Sequence, residues 1–432
     1  MMAISNPAVN GKNGHGVGLA PNPEKAPHIV RDLLVAWLPK SLVPNWLTLR
    51  LYGYVPDFAF VIHPRSLGDI FRSWPLGRRL RKVLPERLLL RLVSLCPAYV
   101  LSDVSVRHLR GIVVTTTLLP LDLYHNKVET LRALKQVLNF IEKLSRKKVY
   151  VGLGGWWPSA TDGGKDCREL VGPQSRLVVT NGQCATLLSL YQSIEKIAQL
   201  GEVSLDTLDV GIIGTGGTGG GLSELLNGSV RTIVLVDRDE ARAQSLSNRL
   251  LREAIHSAIT LQVVSDNDHV GMLGRLLSNC HVVICTTTNT GELLREEDLP
   301  AGCIVIDDSR PEAFPRVLDE ANGRVVLEGG LVRFGGARVS YDFGFGRGDD
   351  LFGCLADACI LALEEGKILQ PTVGSVDRKN FRNMSKYCEV NAIVGGAFRS
   401  GRHFVPPALI RRIIREKRPG MTKELGATLV DN

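Results

Sequence analysis

The sequence predicts an α/β protein: a doubly wound, mostly parallel sheet, preceded by a smaller α/β unit and followed by C-terminal helices. Three observations carry this. From Leu208 onward, short apolar runs alternate with helix-length stretches, the signature of βαβ units. The first of those runs ends in a glycine-rich turn that opens a helix. Upstream, apolar runs at 58–62, 112–116 and 149–155 are interleaved with helical patterns on a smaller scale.

Taken in order, residues 1–56 read as a polar, Gly/Asn/Pro-rich tail (1–27) followed by an apolar stretch broken by two prolines, an interrupted amphipathic helix at 30–51. Residues 57–202 form the N-terminal unit. It holds the strand candidate FAFVI with His63 after it, a basic leucine-rich segment at 70–96, the strand IVVTT, and a helix at 127–144. The strand VYVGLGG and a helix at 185–200 complete it. In the 70–96 segment Arg78, Arg79, Arg81, Lys82, Arg87 and Arg91 recur among leucines at helical spacing. A core helix with a solvated basic face and a docking face for an acidic carrier protein or a membrane are both open there. Residues 203–345 carry strand candidates at 210–213, 232–236, 261–264, 281–285 and 303–306. Residues 346–432 begin with a helix over 350–365 closed by Gly366, and 371–432 read as basic and peripheral.

Composition narrows the function classes. At 432 residues and 44% hydrophobic content the chain is long enough for two or three packed domains. Its formal net charge of +8 fits acidic partners such as an acyl carrier protein, a phosphorylated cofactor or anionic lipid. No nucleic-acid-binding motif accompanies that charge, so nucleic acid is not expected. Nine scattered cysteines without a CxxC pair fit a reducing cytoplasm and one catalytic thiol rather than a disulfide framework or a metal site. The N-terminus lacks the apolar core of a signal peptide, and no uncharged run approaches the roughly 18 residues that span a bilayer. A cytoplasmic protein, with peripheral membrane contact open, is the expectation.

The motif with the firmest footing is Val210-Gly-Ile-Ile-Gly214-Thr215-Gly216-Gly217-Thr218-Gly219-Gly220-Gly221. It follows an apolar strand, opens a helix, and is succeeded by the strand TIVLV ending in Asp237-Arg238. This is the context of a Rossmann-like dinucleotide site: glycines admit the pyrophosphate and the helix N-terminus supplies N–H donors. Two frames overlap, 214/216/219 and 214/217/220. Asp237 is placed to accept from a ribose 2′-OH, whereas Arg238 would pair with a 2′-phosphate, so NADPH and NADH both stay open. Thr286 and Thr287, and Asp307 and Asp308, end two further strands where such sheets bind ligands; the threonines are expected on the nicotinamide side.

Among the cysteines, Cys354 stands out by position. Asp349 and Asp350 read as N-caps of the helix LFGCLADACILALEE, which puts Cys354 in the first turn. There the macrodipole favours a thiolate. The preceding GFGRGDD would let a substrate approach closely. A buried structural cysteine is the other reading of the same position.

FVIH at 60–63, RGIVVTTTLLP at 110–120, GLGG at 152–155 and VTNGQCATLL at 179–188 occur in that order, followed by VGIIGTGGTGG, VIDDSRP at 305–311, VLEGGLV at 326–332 and LFGCLADACILALEEG at 351–366. In order and spacing this resembles the long-chain acyl-[acyl-carrier-protein] reductases of cyanobacteria, over roughly 58–366. The resemblance implies an N-terminal substrate domain, a fatty acyl thioester of carrier protein or CoA as substrate, and an aldehyde product that a further enzyme would use. It implies Cys354 as the acylated nucleophile, NADPH on the 214–220 loop with Gly330 nearby, and His63 in a matching position as a general acid. Backbone N–H groups at the start of the 350–365 helix, or Thr180 and Asn181, would serve the oxyanion. Where the family has Thr-Gly-Asn-Thr-His, this chain reads Thr180-Asn181-Gly182-Gln183-Cys184, and Asp237 replaces a small residue. The competing readings are a dehydrogenase of a small amino or hydroxy acid, with Cys354 structural, and a non-catalytic nucleotide sensor.

Overall fold

A computed structural model describes residues 28–73, 83–85, 88–89, 91, 95–264, 269–288, 291–344 and 349–417. The expectations for the tail at 1–27, for most of the basic 70–96 segment, for 345–348 and for 418–432 lie outside the described residues.

The broken amphipathic segment is two helices, α1 (Ile29–Trp37) and α2 (Asn45–Tyr52), separated by a 3₁₀ turn between Pro39 and Pro44. The prolines have no N–H for a helical bond, so the chain must turn at both. Strands β1 (Phe58–Ile62), β2 (Tyr99–Val106), β3 (Leu109–Thr115), β4 (Val149–Leu153) and β5 (Leu177–Thr180) follow. β1 lies parallel to β3 and β4, and β5 extends the parallel run, whereas β2 returns antiparallel on β3. The central strand is apolar on both faces because both are covered. The 127–144 helix lays Leu134, Val137, Leu138 and Ile141 on one face, as its spacing predicts.

Helix α3 (Gln183–Gly201) leads into the second sheet, β6 (Asp209–Ile213), α4 (Gly217–Leu226), β7 (Thr232–Asp237), β8 (Ala258–Val263), β9 (Val282–Cys285), β10 (Cys303–Asp307), β11 (Leu318–Asp319) and β12 (Arg324–Glu328). The sheet order is β11-β12-β10-β9-β6-β7-β8, all parallel except the β11 edge. This is the dinucleotide-binding topology, with its switch point between β6 and β9. β13 (Leu331–Arg333) pairs with β15 (Asp350–Phe352) in a small sheet, and β14 (Arg338–Val339) crosses back to pair with β2 of the first sheet.

Helix α5 (Gly353–Glu364) follows β15 and packs on β4, β1 and α3, between the two large sheets. It begins later than the sequence suggests. Asp350 is not its cap. That carboxylate lies in β15 and accepts from Arg333 and Arg399, while the N-cap Phe352 has no side-chain bond. Cys354 still falls in the first turn.

The C-terminal stretch is not peripheral. A helix at 407–416 presents Leu409, Ile410, Ile413 and Ile414, all buried, to α3. Its exposed arginines disguise that stripe in the composition. Among the described residues no helix is long and apolar enough to cross a membrane.

Candidate active site

The glycine turn resolves into the 214/216/219 frame. Gly214 ends β6 at φ +92, a conformation open to glycine. Gly216 caps α4 with no heavy atom near the position of a Cβ, so the helix N-terminus faces open space. Gly219 packs so closely that a Cβ would stand 1.9 Å from the Gly214 carbonyl oxygen and 2.7 Å from Thr286 Oγ1. Turn, ligand approach and close packing are the roles that the three glycines of this motif play. Gly219→Ala therefore forces backbone apart, at a cost of about 1–3 kcal/mol. The expected result in titration calorimetry is dinucleotide affinity lowered at least tenfold, with a lower melting temperature.

Gly216, Gly217 and Thr218 line a cleft of about 450 Å³ that extends to Gly214, Thr286, Thr287 and Gly330, and ends at Cys354. Thr215 and Gly220 support the turn from below. Thr286 Oγ1 donates to the Gly214 carbonyl at 3.0 Å, which ties the end of β9 to the turn across the switch point.

Asp237 is not a free acceptor for a ribose. It receives Thr215 N at 2.7 Å, Thr215 Oγ1 at 2.6 Å, Asp239 N at 3.0 Å and Arg242 Nη2 at 2.9 Å. Four donors fill its lone pairs. Burial acts to raise its pKa, but the bonds from Arg242 and the loop outweigh it and hold the group at about 2. It braces the turn instead. Arg238 and Arg242 both line this end of the cleft.

At the opposite end, Gly182 (φ +73) lies so near the cysteine that a Cβ there would sit 2.4 Å from Cys354 Cβ, and a Cβ on Gly353 would meet Thr186 Cα at 2.6 Å. Gly353 N–H donates to the Gly330 carbonyl at 2.6 Å. Cys354 is thereby locked against the loop before α3. Its thiol does not follow the macrodipole expectation. Burial pushes it up to about 12, the nearby Asp308 adds to this, and the first-turn N–H groups of Leu355 and Cys354 act in the other direction without prevailing.

Three expected catalytic roles change. His63 is buried, Trp156 N–H donates to its Nε2 at 3.0 Å, and Nδ1 lies 3.0 Å from the Pro64 carbonyl, to which it must donate. Both nitrogens are occupied, and burial lowers its pKa to about 4, so it is a neutral structural histidine rather than a general acid. Thr180 Oγ1 donates to Asp357 at 2.9 Å, and Asn181 Nδ2 donates to the carbonyls of Gly163 and Gly374. Their donors are spent on holding the loop, so neither side chain serves an oxyanion. Asp357, one turn beyond Cys354, also accepts from Ala185 N at 3.0 Å and joins α5 to α3. Cys184 is fully buried.

The residue that sequence reading underrated is Asp308. It follows β10, lines the cleft with Cys354 and Gly330, and no hydrogen bond reaches its carboxylate among the described residues. A Cβ on Gly330 would stand 2.0 Å from its Oδ1, so it lies directly against the strand that holds the cysteine helix. Burial raises its pKa to about 7, although Arg310 opposes the shift. Its neighbour Asp307 is instead fully buried and accepts from Ala313 N, Phe314 N and Arg316, holding the loop. The signal for Asp308 was its place at a carboxyl strand end; only packing separates it from Asp307.

A second cavity of about 110 Å³ opens from the other side of Cys354. Phe60, Ile62, Leu101, Tyr341, Phe343 and Phe352 give it a mainly apolar wall, and Arg310 lines both cavities. The Arg310 guanidinium is held by Glu328 at 2.9 Å and stands over the Phe352 ring.

No protein-family model and no curated protein sequence matches the chain. Solved structures match the chain in part and at low identity. A transhydrogenase from Sinorhizobium meliloti matches at 12% identity and TM-score 0.28, over 42% of this chain and 60% of that one. L-tryptophan dehydrogenase from Nostoc punctiforme matches at 13% identity and TM-score 0.30, over 58% and 62%. Glutamyl-tRNA reductase from Methanopyrus kandleri matches at 18% and 0.22, over 45% and 46%. The chain thus spans less than two thirds of each of these proteins.

Proposed function

We propose that the protein is a nicotinamide-dependent reductase that converts a fatty acyl thioester, of carrier protein or CoA, to an aldehyde through an acyl-enzyme on Cys354. One observation carries the reading: a single thiol lines both the dinucleotide cleft and an apolar cavity. A hydride donor and an acyl chain would meet at that thiol. A small polar acid would have no use for the apolar cavity.

The cleft fits a dinucleotide, since Gly216 leaves room for a pyrophosphate and the α4 N-terminus offers unpaired N–H groups to it. The chemistry a bound nicotinamide supplies is hydride. The chain supplies the rest. Cys354 Sγ forms a bond to the thioester carbonyl carbon, and its proton passes through ionised Asp308 to the departing carrier thiolate as the original C–S bond breaks. The N–H groups of Cys354 and Leu355, which favour the thiolate, would then serve the developing oxyanion. After reduction at the acyl carbon, the C–Sγ bond breaks, aldehyde leaves, and one proton taken up from solvent passes through Asp308 to Sγ. In net balance, thioester, reduced cofactor and one proton give aldehyde, thiol and oxidised cofactor.

Arg238 and Arg242 at the adenosine end, with Asp237 neutralised between its donors, favour NADPH. Arg238→Ala should raise KM for NADPH at least tenfold and leave that for NADH nearly unchanged; equal effects on both would remove the phosphate preference.

The direct test is to incubate the protein with a long-chain acyl thioester, without cofactor, and record intact mass and the modified peptide. The expected result is an acyl adduct on Cys354 that is discharged as aldehyde when NADPH is added. If no thioester of a carrier-protein and CoA panel acylates Cys354, the reductase reading fails and the nucleotide site stands alone.

A further inference from the structure

The α1–α2 pair carries a surface that the reaction does not use. Asp32 anchors it: fully buried, it accepts from Val100 N of β2 and from Tyr52 OH of α2, each at 2.8 Å. Arg31 stacks 3.9 Å over the Tyr52 ring. The pair is therefore fixed on the first sheet. Outward, at i, i+4 and i+7 on α1, stand Val30, Leu34 and Trp37, with Leu42 in the turn and Trp46 and Leu49 on α2. Trp37 is 69% and Trp46 63% exposed. Trp37 Nε1 donates to the Leu95 carbonyl at 3.2 Å, which holds the ring flat at the surface rather than tucked inward. Large exposed apolar groups in one patch mark an interaction site.

The charges around the patch are mainly basic: Lys143 and Arg146 donate to the Ala36 and Lys40 carbonyls, and Glu142, paired with Lys40, is an acidic exception. Between residues 28 and 53 the sole acidic residue is the buried Asp32, whereas Arg31, Lys40 and Arg50 are basic.

The inner face of α1 points at the apolar cavity. Ile29 and Leu33 pack on the cluster of Cys96, Tyr99 and Leu101, and the last two of these wall the cavity beside Cys354. One helix therefore has the acyl cavity beneath it and an apolar, tryptophan-bearing face above it. We infer that α1 and α2 dock the enzyme on an anionic lipid bilayer, with the mouth of the acyl cavity against the membrane so that a long-chain product passes into lipid without crossing water. Tryptophan at the headgroup level, leucine below it and basic residues around them are the chemistry of interfacial helices. The exit route rests on the reductase reading; the docking does not.

The test is sedimentation of the full-length protein with vesicles of phosphatidylcholine containing one third phosphatidylglycerol, and with phosphatidylcholine alone. Wild type should bind the anionic vesicles, more weakly as salt rises. The Trp37→Ser/Trp46→Ser double variant should lose at least about tenfold in partitioning. A second pair, Leu34→Glu/Leu49→Glu, should do the same, with melting temperatures confirming that both fold. Cys354→Ala should bind vesicles like wild type, so a failure of the catalytic reading is seen separately. Absence of vesicle binding by wild type overturns the inference. So does binding that both pairs leave unchanged, a wild-type dimer that the variants dissociate, or loss of carrier-protein affinity in the variants without any vesicle binding in wild type.

Discussion

Cys354→Ala is expected to abolish aldehyde formation, by at least ~10⁴-fold, while dinucleotide affinity stays within about twofold of wild type. The argument is positional. Cys354 is the residue at which the end of the nucleotide cleft, the apolar cavity and the first turn of a helix coincide. The eight other cysteines are all buried, out of reach of a substrate, whereas Cys354 is part-exposed and lines both cavities. Alanine leaves the N–H groups of α5, the bond from Gly353 N–H to the Gly330 carbonyl, and the whole glycine turn in place. Two measurements check it: acyl adduct formation by intact mass, and quenching of protein fluorescence by NADPH. An adduct on another cysteine, or turnover in the variant, would return Cys354 to a packing role. Loss of nucleotide binding along with activity would show only that the cleft had collapsed.

The part of this site that could be read from sequence is the part made by neighbours in the chain. The strand, turn and helix at 209–226 are local, and their glycines announce them. The choice of glycine frame is not local, because Gly219 is forced by the Gly214 carbonyl and by Thr286, 67 positions away, to have no side chain. The position of Cys354 in a first turn is read from Asp349 and Asp350 as caps, and it holds although the N-cap is Phe352. Its pKa was not legible, since the macrodipole argument concerns a helix end in water, and α5 begins between two sheets where desolvation outweighs it. His63 failed as an acid for a similar reason: Trp156, 93 positions away, takes the nitrogen that would carry the proton. The helix at 407–416 shows the converse case. Its stripe was present in the sequence, but the arginines between its apolar residues dominated the composition.

Asp308→Asn is expected to lower turnover about 10²–10⁴-fold, the range for loss of a proton-transfer group, and at the same time to make Cys354 more reactive toward alkylation. These opposite signs follow from one placement. Asp308 lies in the cleft beside Cys354 with a pKa raised to about 7, chiefly by burial, so near neutrality it can both accept and return a proton. Above about pH 7 it is ionised, and its charge then helps to hold the thiol up. Below that it is neutral and has no such effect. Asparagine is nearly isosteric, cannot carry the proton, and never becomes charged. The variant should therefore be alkylated by iodoacetamide faster than wild type above pH 7, with the two rates converging below about pH 6. Its turnover should lack the rise that wild type shows as Asp308 ionises through pH 7 and becomes able to accept the thiol proton. A merely structural Asp308 would lower both rates together and leave the shape of the pH profile unchanged. If alkylation slows in the variant, Asp308 is not the charge that opposes the thiolate, and the proton path must run through another group in the cleft.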